Sequence, residues 1–226
     1  MLKIYIHDTR NDRKVGLREL PRFLSAEEIE RAGRFKFEKD FKLYTAGKII
    51  ARKMIADYIG IAPNDIKFFI DNYGRPFLEN HKIKNFDFNI SHSGDYVVLA
   101  LSDRRVGIDV EKIRLVDFKV AETCFHDNEL EVLNRDPAKL PENFYGLWTL
   151  KESFIKAVGQ GLSYPLKDFY FSFSAAGIKI NILKPVADDQ TWNFKLYDFD
   201  PEYKLAVCAK DRKAPPIVKI NNLAEL

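Results

Sequence analysis

The sequence has 226 residues, 46% of them hydrophobic, and a formal net charge of +3 at pH 7. This length and apolar content exclude a disordered chain and allow one large domain or two small ones. No apolar run reaches the length of a membrane helix, and the net charge is too small to indicate a nucleic-acid-binding protein. The alternating residues 1–6 are too short to be a signal peptide and predict a first strand instead.

The first half of the chain is predicted to contain a strand, two helices and then further strands. Ser25 and Glu28 have the spacing of a capping box, so a helix is expected to begin at Ser25. A second helix is predicted over residues 39–58, with Gly60 as its C-terminal stop. Strands are predicted at 2–7, 67–70, 86–90, 96–101 and 106–111, with turns at 72–76 and 91–95.

The second half is predicted to repeat the passage from helices to antiparallel strands. A helical stretch covers 118–133, and a strong helix begins at Pro141 and ends near Gly159. Strands are predicted at 169–173, 178–183, 192–199 and 203–209. The order indicates an α+β fold, with a first half over 1–105 and a second half over 106–226.

Charge and cysteine content add two weaker indications. Residues 1–105 carry 20 Lys and Arg against 15 Asp and Glu, whereas residues 106–226 carry 16 against 18. A basic half beside an acidic half would suit a polyphosphate ligand bridged by a metal, although ordinary surface variation explains the same numbers. Cys124 and Cys208 lie in apolar contexts and form no motif, which predicts free buried thiols and a reducing, cytoplasmic compartment.

One predicted strand carries two carboxylates on the same side. Between residues 106 and 111, three apolar residues alternate with Gly107, Asp109 and Glu111, which is the pattern of a strand with one buried face. Asp109 and Glu111 therefore leave the strand together, beside a glycine that adds no bulk. The alternative is that this side is a solvated surface, because exposed carboxylates are common.

The helix after Pro141 places a third carboxylate on a defined face. Trp148, Glu152 and Lys156 are four positions apart and lie along one face, whereas Lys151 is about 100° around the helix and faces elsewhere. If Glu152 meets the two strand carboxylates, each pair of charges about 4 Å apart repels by roughly 4 kcal/mol at a dielectric near 20. Such an all-oxygen cluster favours Mg²⁺. The alternative is that Glu152 pairs only with Lys156.

Several short segments occur in an order that matches one enzyme family. They are Phe88 to Gly94, Val106 to Lys112, Trp148 to Lys156, Tyr73 to Pro76, and Arg34-Phe35 followed by Asp40. In these segments the chain resembles the Sfp-type (surfactin-synthetase-activating) 4'-phosphopantetheinyl transferases. The resemblance implies two similar α+β halves arranged as a pseudo-dimer, with coenzyme A in the cleft between them. It also implies transfer of 4'-phosphopantetheine from coenzyme A to a carrier-protein serine, with release of adenosine 3',5'-bisphosphate.

The resemblance also implies roles for the acidic cluster and its neighbours. Asp109, Glu111 and Glu152 match the family's Mg²⁺ ligands, and Glu152 could also accept the proton of the carrier serine. Lys156 would neutralise a phosphate or the developing oxyanion; its structural alternative is an ordinary pair with Glu152, four positions away.

The coenzyme A side of the site is predicted from the same resemblance. His92 would bind the 3'-phosphate with Ser91 at the same turn, although a structural histidine after a strand is the simpler alternative. Arg75 suits a phosphate or adenine contact, and Arg31 and Tyr44 complete the predicted coenzyme A residues. The chain departs from the family where it has Glu28 and Leu43 in place of basic residues. Arg31 and Arg34 remain well placed, and Lys39, Lys42 or Lys48 could substitute.

The carrier protein is expected to be acidic, so a basic and apolar patch should receive it. Candidates by position are Phe118, Val120, Phe125 and Leu130, although amphipathic spacing also explains them as core. A monomer is expected because one chain carries both halves. The competing hypotheses are a Mg²⁺-dependent phosphodiesterase and a non-catalytic carrier-binding module. The sequence does not distinguish fatty-acid from secondary-metabolite carriers.

Overall fold

A computed structural model describes residues 1–12, 20–79, 85–184 and 191–223. The first half forms β1 (Leu2–Asp8), α1 (Ala26–Gly33), α2 (Glu38–Ile59), β2 (Phe68–Ile70), β3 (Pro76–Leu78), β4 (Asp87–Ser93) and β5 (Tyr96–Ser102). The second half forms β6 (Val106–Lys112), α3 (Phe118–Cys124), α4 (Asp127–Asn134), α5 (Leu140–Val158), β7 (Phe169–Ser174), β8 (Gly177–Ile182), β9 (Trp192–Tyr197), β10 (Tyr203–Lys210) and β11 (Val218–Ile220). The α+β prediction is confirmed, with every predicted strand present.

Two sheets form the centre of the molecule. The first has the strand order β11-β1-β5-β4 and the second has the order β6-β10-β9, whereas β2-β3 and β7-β8 are separate hairpins. Within the first sheet β5 pairs antiparallel with both β1 and β4, and β11 pairs parallel with β1. The C-terminal strand of the second half thus lies in the sheet of the first half. The boundary predicted at residue 105 falls between β5 and β6.

Apolar side chains arrange the main elements as four layers. Helix α2 covers one face of the first sheet, with Ile49 and Ile55 in the same buried cluster as Val97 and Leu99 of β5. The other face of this sheet packs on the second sheet through a cluster that includes Ile4, Val98, Ile108 and Val207. Helix α5 covers the remaining face of the second sheet, where Phe154 joins Ala206 and Cys208. The order is therefore helix, sheet, sheet, helix.

Strand β6 is buried on both faces, which corrects the prediction of a single buried face. Residues Val106 to Val110 are all buried, because α5 lies over the side that carries Gly107 and Asp109. The contact is close: a Cβ on Gly107 would lie 1.9 Å from the carbonyl oxygen of Ser153 in α5. Glycine is required here because any side chain would push the helix away from the strand.

The predicted helix ends are confirmed by their caps. Ser25 and Glu28 form a reciprocal capping box at the start of α1, and Gly60 and Gly159 end α2 and α5 with φ of +75° and +85°. The helical stretch predicted over 118–133 is present as two short helices. Phe125 adopts an extended conformation after α3, and His126 begins α4 with its own capping box.

Both cysteines are free, with Cys208 buried and Cys124 half-buried. Among the residues that the structure describes, none of the helices combines the length and apolar character needed to cross a bilayer.

Candidate active site

The candidate site lies where β4 of the first sheet, β6 of the second sheet and helix α5 meet. The predicted turn at 91–95 is shorter than expected, because Ser91, His92 and Ser93 belong to β4 and only Gly94 and Asp95 form the turn to β5. The side chains of Ser91 and Ser93 therefore project from a strand. Strand geometry sends both of them to the same side, toward β6.

Asp109 is buried at the centre of the site, with 3% of its surface exposed. Its Oδ1 accepts hydrogen bonds from Lys156 Nζ at 2.6 Å and from Ser91 Oγ at 2.8 Å. Its Oδ2 is buried and has no hydrogen-bond partner in the described part of the chain. Burial raises the pKa of the Asp109 carboxyl, and the neighbouring Lys156 ammonium and Ser91 hydroxyl oppose that rise. A buried carboxylate oxygen without a partner is costly and suits a further ligand.

Burial raises the pKa of the Glu111 and Glu152 carboxyls, and both lie close enough to Asp109 for its charge to raise it further. Glu111 is half-buried and its Oε2 accepts a hydrogen bond from Ser93 Oγ at 2.6 Å. Glu152 accepts no hydrogen bond from the residues that the structure describes. Burial first, and then Asp109 and Glu111, raise the pKa of Glu152 to about 7, against the opposing effect of Lys156. The three carboxylates therefore form one electrostatic group.

Lys156 does not pair with Glu152, which corrects the simple alternative of a pair within the helix. Its Nζ instead binds Asp109 and also donates to Ser91 Oγ at 3.1 Å and to the Ile108 carbonyl at 3.4 Å. With the side chains in these positions, no group of three or more His, Cys, Asp or Glu residues in the described ranges is placed to hold a metal ion. The carboxylates are close enough to interact, but Lys156 now occupies one oxygen of Asp109.

Arg75 has a structural environment that the sequence did not predict. It is 7% exposed and its Nη2 donates to both carboxylate oxygens of Asp87 at 2.8 Å. The same nitrogen donates to the Val106 carbonyl at 3.1 Å, and Nη1 donates to the carbonyl of Lys156. The guanidinium thus joins β4, β6 and α5 inside the protein.

A cleft of about 400 Å³ opens beside these residues. Its walls come from the turn that contains Tyr73 and Gly74 in the first half and from Glu152, Ile155 and Lys156 of α5. Tyr73 is 56% exposed, so an aromatic surface borders the opening. The cleft therefore lies between the two halves of the chain, with Glu152 in its wall.

His92 is exposed on β4, on the strand face opposite to Ser91. Partial desolvation by surrounding protein atoms and, to a smaller extent, the Lys156 ammonium lower the pKa of the His92 imidazole. The carboxylate of Asp40 acts in the opposite direction. A neutral imidazole still offers one N–H donor. His92 is thus close enough to Lys156 to feel its charge, and it remains available to a ligand.

Arg31 and Tyr44 lie on the N-terminal side of the molecule, where the Arg31 guanidinium carbon is 5.6 Å from the Tyr44 ring centre. Arg31 and Arg34 line a second cavity of about 580 Å³ with Phe35. Glu28 is not free for a ligand, because it caps α1 and binds Lys48 at 3.3 Å and Arg52 at 2.8 Å. Leu43 is buried in the core. Both departures from the family pattern therefore have structural reasons.

Trp148 packs on the α5 core, where its ring is partly buried and stacks on Phe144 with 6.2 Å between the ring centres. Lys151, on the other side of α5, binds Glu129 deep in the core at 2.8 Å. The sequence predicted that Lys151 faces away but not this partner. It also missed Ser93, although the alternation of polar and apolar residues from Asp87 to Ser93 could have indicated a polar strand face.

Comparisons with known proteins agree on one family. A family model described as "4'-phosphopantetheinyl transferase, N-terminal" matches residues 13–104, and one described as "4'-phosphopantetheinyl transferase superfamily" matches residues 105–208. The chain belongs to the 4'-phosphopantetheinyl transferase superfamily. Within it, the chain is 35% identical to 4'-phosphopantetheinyl transferase psf-1 of Bacillus pumilus, over 94% of this chain and 90% of the relative. It is 33% identical to 4'-phosphopantetheinyl transferase Sfp of Bacillus subtilis, over 90% of each.

These relatives confirm the predicted Sfp-type enzyme and its transfer of phosphopantetheine from coenzyme A to carrier proteins. Among solved structures, a holo-[acyl-carrier-protein] synthase from Thermotoga maritima covers 48% of this chain and 63% of its own, with 25% identity and a TM-score of 0.40. The family assignment thus depends on the sequence matches.

Proposed function

We propose that the chain transfers 4'-phosphopantetheine with the help of Mg²⁺ held by Asp109, Glu111 and Glu152. The observation that carries this proposal is the buried Asp109 Oδ2, which has no partner in the described part of the chain, beside a carboxylate whose pKa is about 7. Mutual repulsion and burial of three carboxylates disfavour their charged forms, and a cation would relieve both. The all-oxygen set fits Mg²⁺. When bound, the ion would neutralise charge on the pyrophosphate of coenzyme A.

The protein's own residues supply the remaining steps. Glu152 has no hydrogen-bond partner among the described residues and lines the cleft, so it is placed to take the proton of the carrier serine hydroxyl. Lys156 brings a positive charge to the same cleft wall, where it would stabilise the phosphate during transfer. His92, Arg31, Tyr44 and the turn at Arg75 remain the proposed coenzyme A contacts, whereas the hydroxyl of the buried Ser91 binds Asp109 and Lys156 instead.

The carrier protein would dock beside α3. Leu115 is 96% exposed and Val120 is 47% exposed, and the exposed basic residues Arg114 and Lys119 flank them. This patch begins three residues after Glu111, and its apolar and basic side chains suit an acidic carrier, while the exposed carboxylates of Asp117 and Glu122 lie on the same segment. Of the docking residues predicted from the sequence, Val120 remains a candidate, whereas Phe125 is fully buried and belongs to the core. Phe118 and Leu130 are partly buried against that core.

A carrier-loading assay tests the proposal by detecting the mass increase of the carrier with coenzyme A and Mg²⁺. Glu152→Gln should reduce the loading rate by about 10²–10⁴-fold, the usual contribution of a positioned base. Asp109→Asn and a chelator should also abolish most loading. The matched control is Glu142→Gln, which removes an exposed carboxylate at the other end of α5.

Full loading by both Glu152→Gln and Asp109→Asn would refute the assigned site. Loading that persists in excess chelator would refute the metal requirement alone. Carrier binding without loading, under saturating Mg²⁺ and coenzyme A, would support the non-catalytic module instead. The free cysteines and the presence of both halves in one chain make a cytoplasmic monomer the proposed state.

A further inference from the structure

Strands β4 and β6 run beside each other at the junction of the two halves, but they belong to different sheets and form no backbone ladder in the described residues. Side chains of β4 take the place of that ladder by accepting hydrogen bonds from backbone amides of β6. The three contacts are Val106 N to Asp87 Oδ2 at 2.9 Å, Ile108 N to Asn89 Oδ1 at 3.0 Å, and Lys112 N to Ser93 Oγ at 3.1 Å. We call these β4 side chains, together with that of Ser91, the polar row.

The polar row has a regular spacing with one exception. In each of the three contacts the donor lies 19 positions after the acceptor. By the same spacing, the hydroxyl of Ser91 would accept a hydrogen bond from the backbone amide of Val110. The hydroxyl of Ser91 instead donates to Asp109 Oδ1 at 2.8 Å and accepts from Lys156 Nζ at 3.1 Å. The exception falls at the most buried carboxylate of the site.

The chemistry of a hydroxyl fixes the direction of both serine contacts. A serine hydroxyl has one hydrogen to donate, whereas a backbone amide and an ammonium group can only donate. Ser93 Oγ accepts from the amide of Lys112, so its hydrogen is left for Glu111 Oε2 at 2.6 Å. Ser91 Oγ accepts from Lys156 in the same way, so its hydrogen is left for Asp109. Each serine is therefore bound on one side and holds a carboxylate on the other.

The remaining oxygen of each carboxylate is left for a ligand. Asp109 Oδ2 and Glu111 Oε1 accept no hydrogen bond from the described residues. A carboxylate held through one oxygen presents the other in a fixed direction, which is how outer hydrogen-bond partners orient metal ligands. In the described residues, Asp87 and Asn89 accept hydrogen bonds from backbone amides of β6, and Asp87 also accepts from Arg75, so they set the alignment of the two strands.

We propose that Ser91 and Ser93 are positioning residues, which orient Asp109 and Glu111 from the opposite half of the molecule. The inference rests on the proposed function, because it treats these carboxylates as cation ligands. It extends that function by making the metal site dependent on both halves: the first half supplies the hydroxyls and the second half supplies the carboxylates. Ser93 carries the sharper test because it does not touch Lys156.

The test measures Mn²⁺ binding to the full chain by electron paramagnetic resonance, without coenzyme A or carrier protein. Ser93→Ala should weaken Mn²⁺ binding by about tenfold, as the loss of an outer hydrogen bond to a metal ligand does. Ser93→Thr keeps a hydroxyl and should bind Mn²⁺ nearly as tightly as the unchanged protein. The matched control is Ser102→Ala, which removes a fully buried β5 hydroxyl that accepts from the amide of Arg104 at 3.0 Å.

Unchanged Mn²⁺ affinity in Ser93→Ala overturns the inference, as does equal weakening in Ser102→Ala, which would indicate general loosening of the fold. Equal losses in Ser93→Thr and Ser93→Ala would also overturn it, since the hydroxyl would not be the cause. The carrier-loading assay separates the two proposals. If the unchanged protein binds Mn²⁺ and loads the carrier while Ser93→Ala binds Mn²⁺ normally, only this inference fails; if the unchanged protein binds no Mn²⁺, the metal site fails with it.

Discussion

Helix α5 carries two lysines, Lys151 and Lys156, whose surroundings differ in hydrogen bonding. Lys151 is fully buried, and its Nζ donates to Glu129 and to the carbonyls of Leu166 and Phe169, each at 2.8 Å. The carboxylate of Glu129 also accepts two backbone amides, at 3.0 and 3.1 Å. Every polar atom of this pair has a partner, so the pair is a structural element that fixes α5 against α4 and β7.

Lys156 lies in a cluster that is incompletely satisfied. It binds Asp109, but Asp109 Oδ2 and the carboxylate of Glu152 have no hydrogen-bond partner among the described residues. The two lysines therefore differ in whether the carboxylates around them have all their hydrogen-bond partners. A buried charge with all its partners stabilises one conformation, whereas carboxylate oxygens without hydrogen-bond partners remain able to bind a ligand.

The largest expected effect on stability comes from replacing Lys151, the fully buried lysine of the two. Lys151→Met should lower the free energy of unfolding by about 3–5 kcal/mol, because Glu129 would remain as a buried charge without a counterion. Chemical denaturation measures this loss. Glu129→Gln combined with Lys151→Met should recover at least half of it, since no buried charge remains. If the double variant is as unstable as the single one, the ion pair is not the cause.

Gly107→Ala should damage only the end of α5 that contains Lys156. The added Cβ would lie 1.9 Å from the Ser153 carbonyl oxygen and 2.6 Å from the Ala157 amide nitrogen. We expect a loss of about 3 kcal/mol from overpacking, together with reduced carrier loading, because the helix must move away from β6. Gly146→Ala is the matched control, since a Cβ there meets nothing within 4 Å. Equal stability of the two variants would contradict the close contact.

Neutralising Glu152 should raise the free energy of unfolding, whereas neutralising Lys151 should lower it. Because the pKa of Glu152 is raised to about 7 in the folded protein, its ionisation destabilises the metal-free fold above that pH. Glu152→Gln should therefore raise the stability of the chelator-treated protein by about 2 kcal/mol at pH 8, after allowance for solvent around a half-buried group. Thermal unfolding against pH checks this.

The pH dependence of stability provides a second check on the sign of the Glu152→Gln effect. A folded pKa above the usual value of 4.5 contributes stability that is present below pH 4.5 and is lost as the pH rises through about 7. The stability gap between Glu152→Gln and the unchanged protein should thus widen across this range and then level off. A stability difference that stays constant from pH 4.5 to 8 would show that folding does not raise the pKa of Glu152.

Much of the fold follows from local patterns in the sequence. The capping box at Ser25 and the stops at Gly60 and Gly159 are confirmed because caps depend on residues within a few positions of each other. The helical stretch predicted over 118–133 is likewise present, but its division into two helices was not predicted, because the cap formed by His126 and Glu129 was not recognised. The side shared by Asp109 and Glu111 was predictable because strand geometry alone determines it.

The sequence by itself determined which side chains leave the same face of an element, and the order of its motifs indicated the family. Only the tertiary structure decided their partners: Asp109 for Lys156, Glu129 for Lys151, and Asp87 for buried Arg75. These partners lie between 12 and 47 positions apart. Spacing along the chain predicts neighbours within one helix or strand, whereas pairs across elements depend on how β4, β6 and α5 pack together.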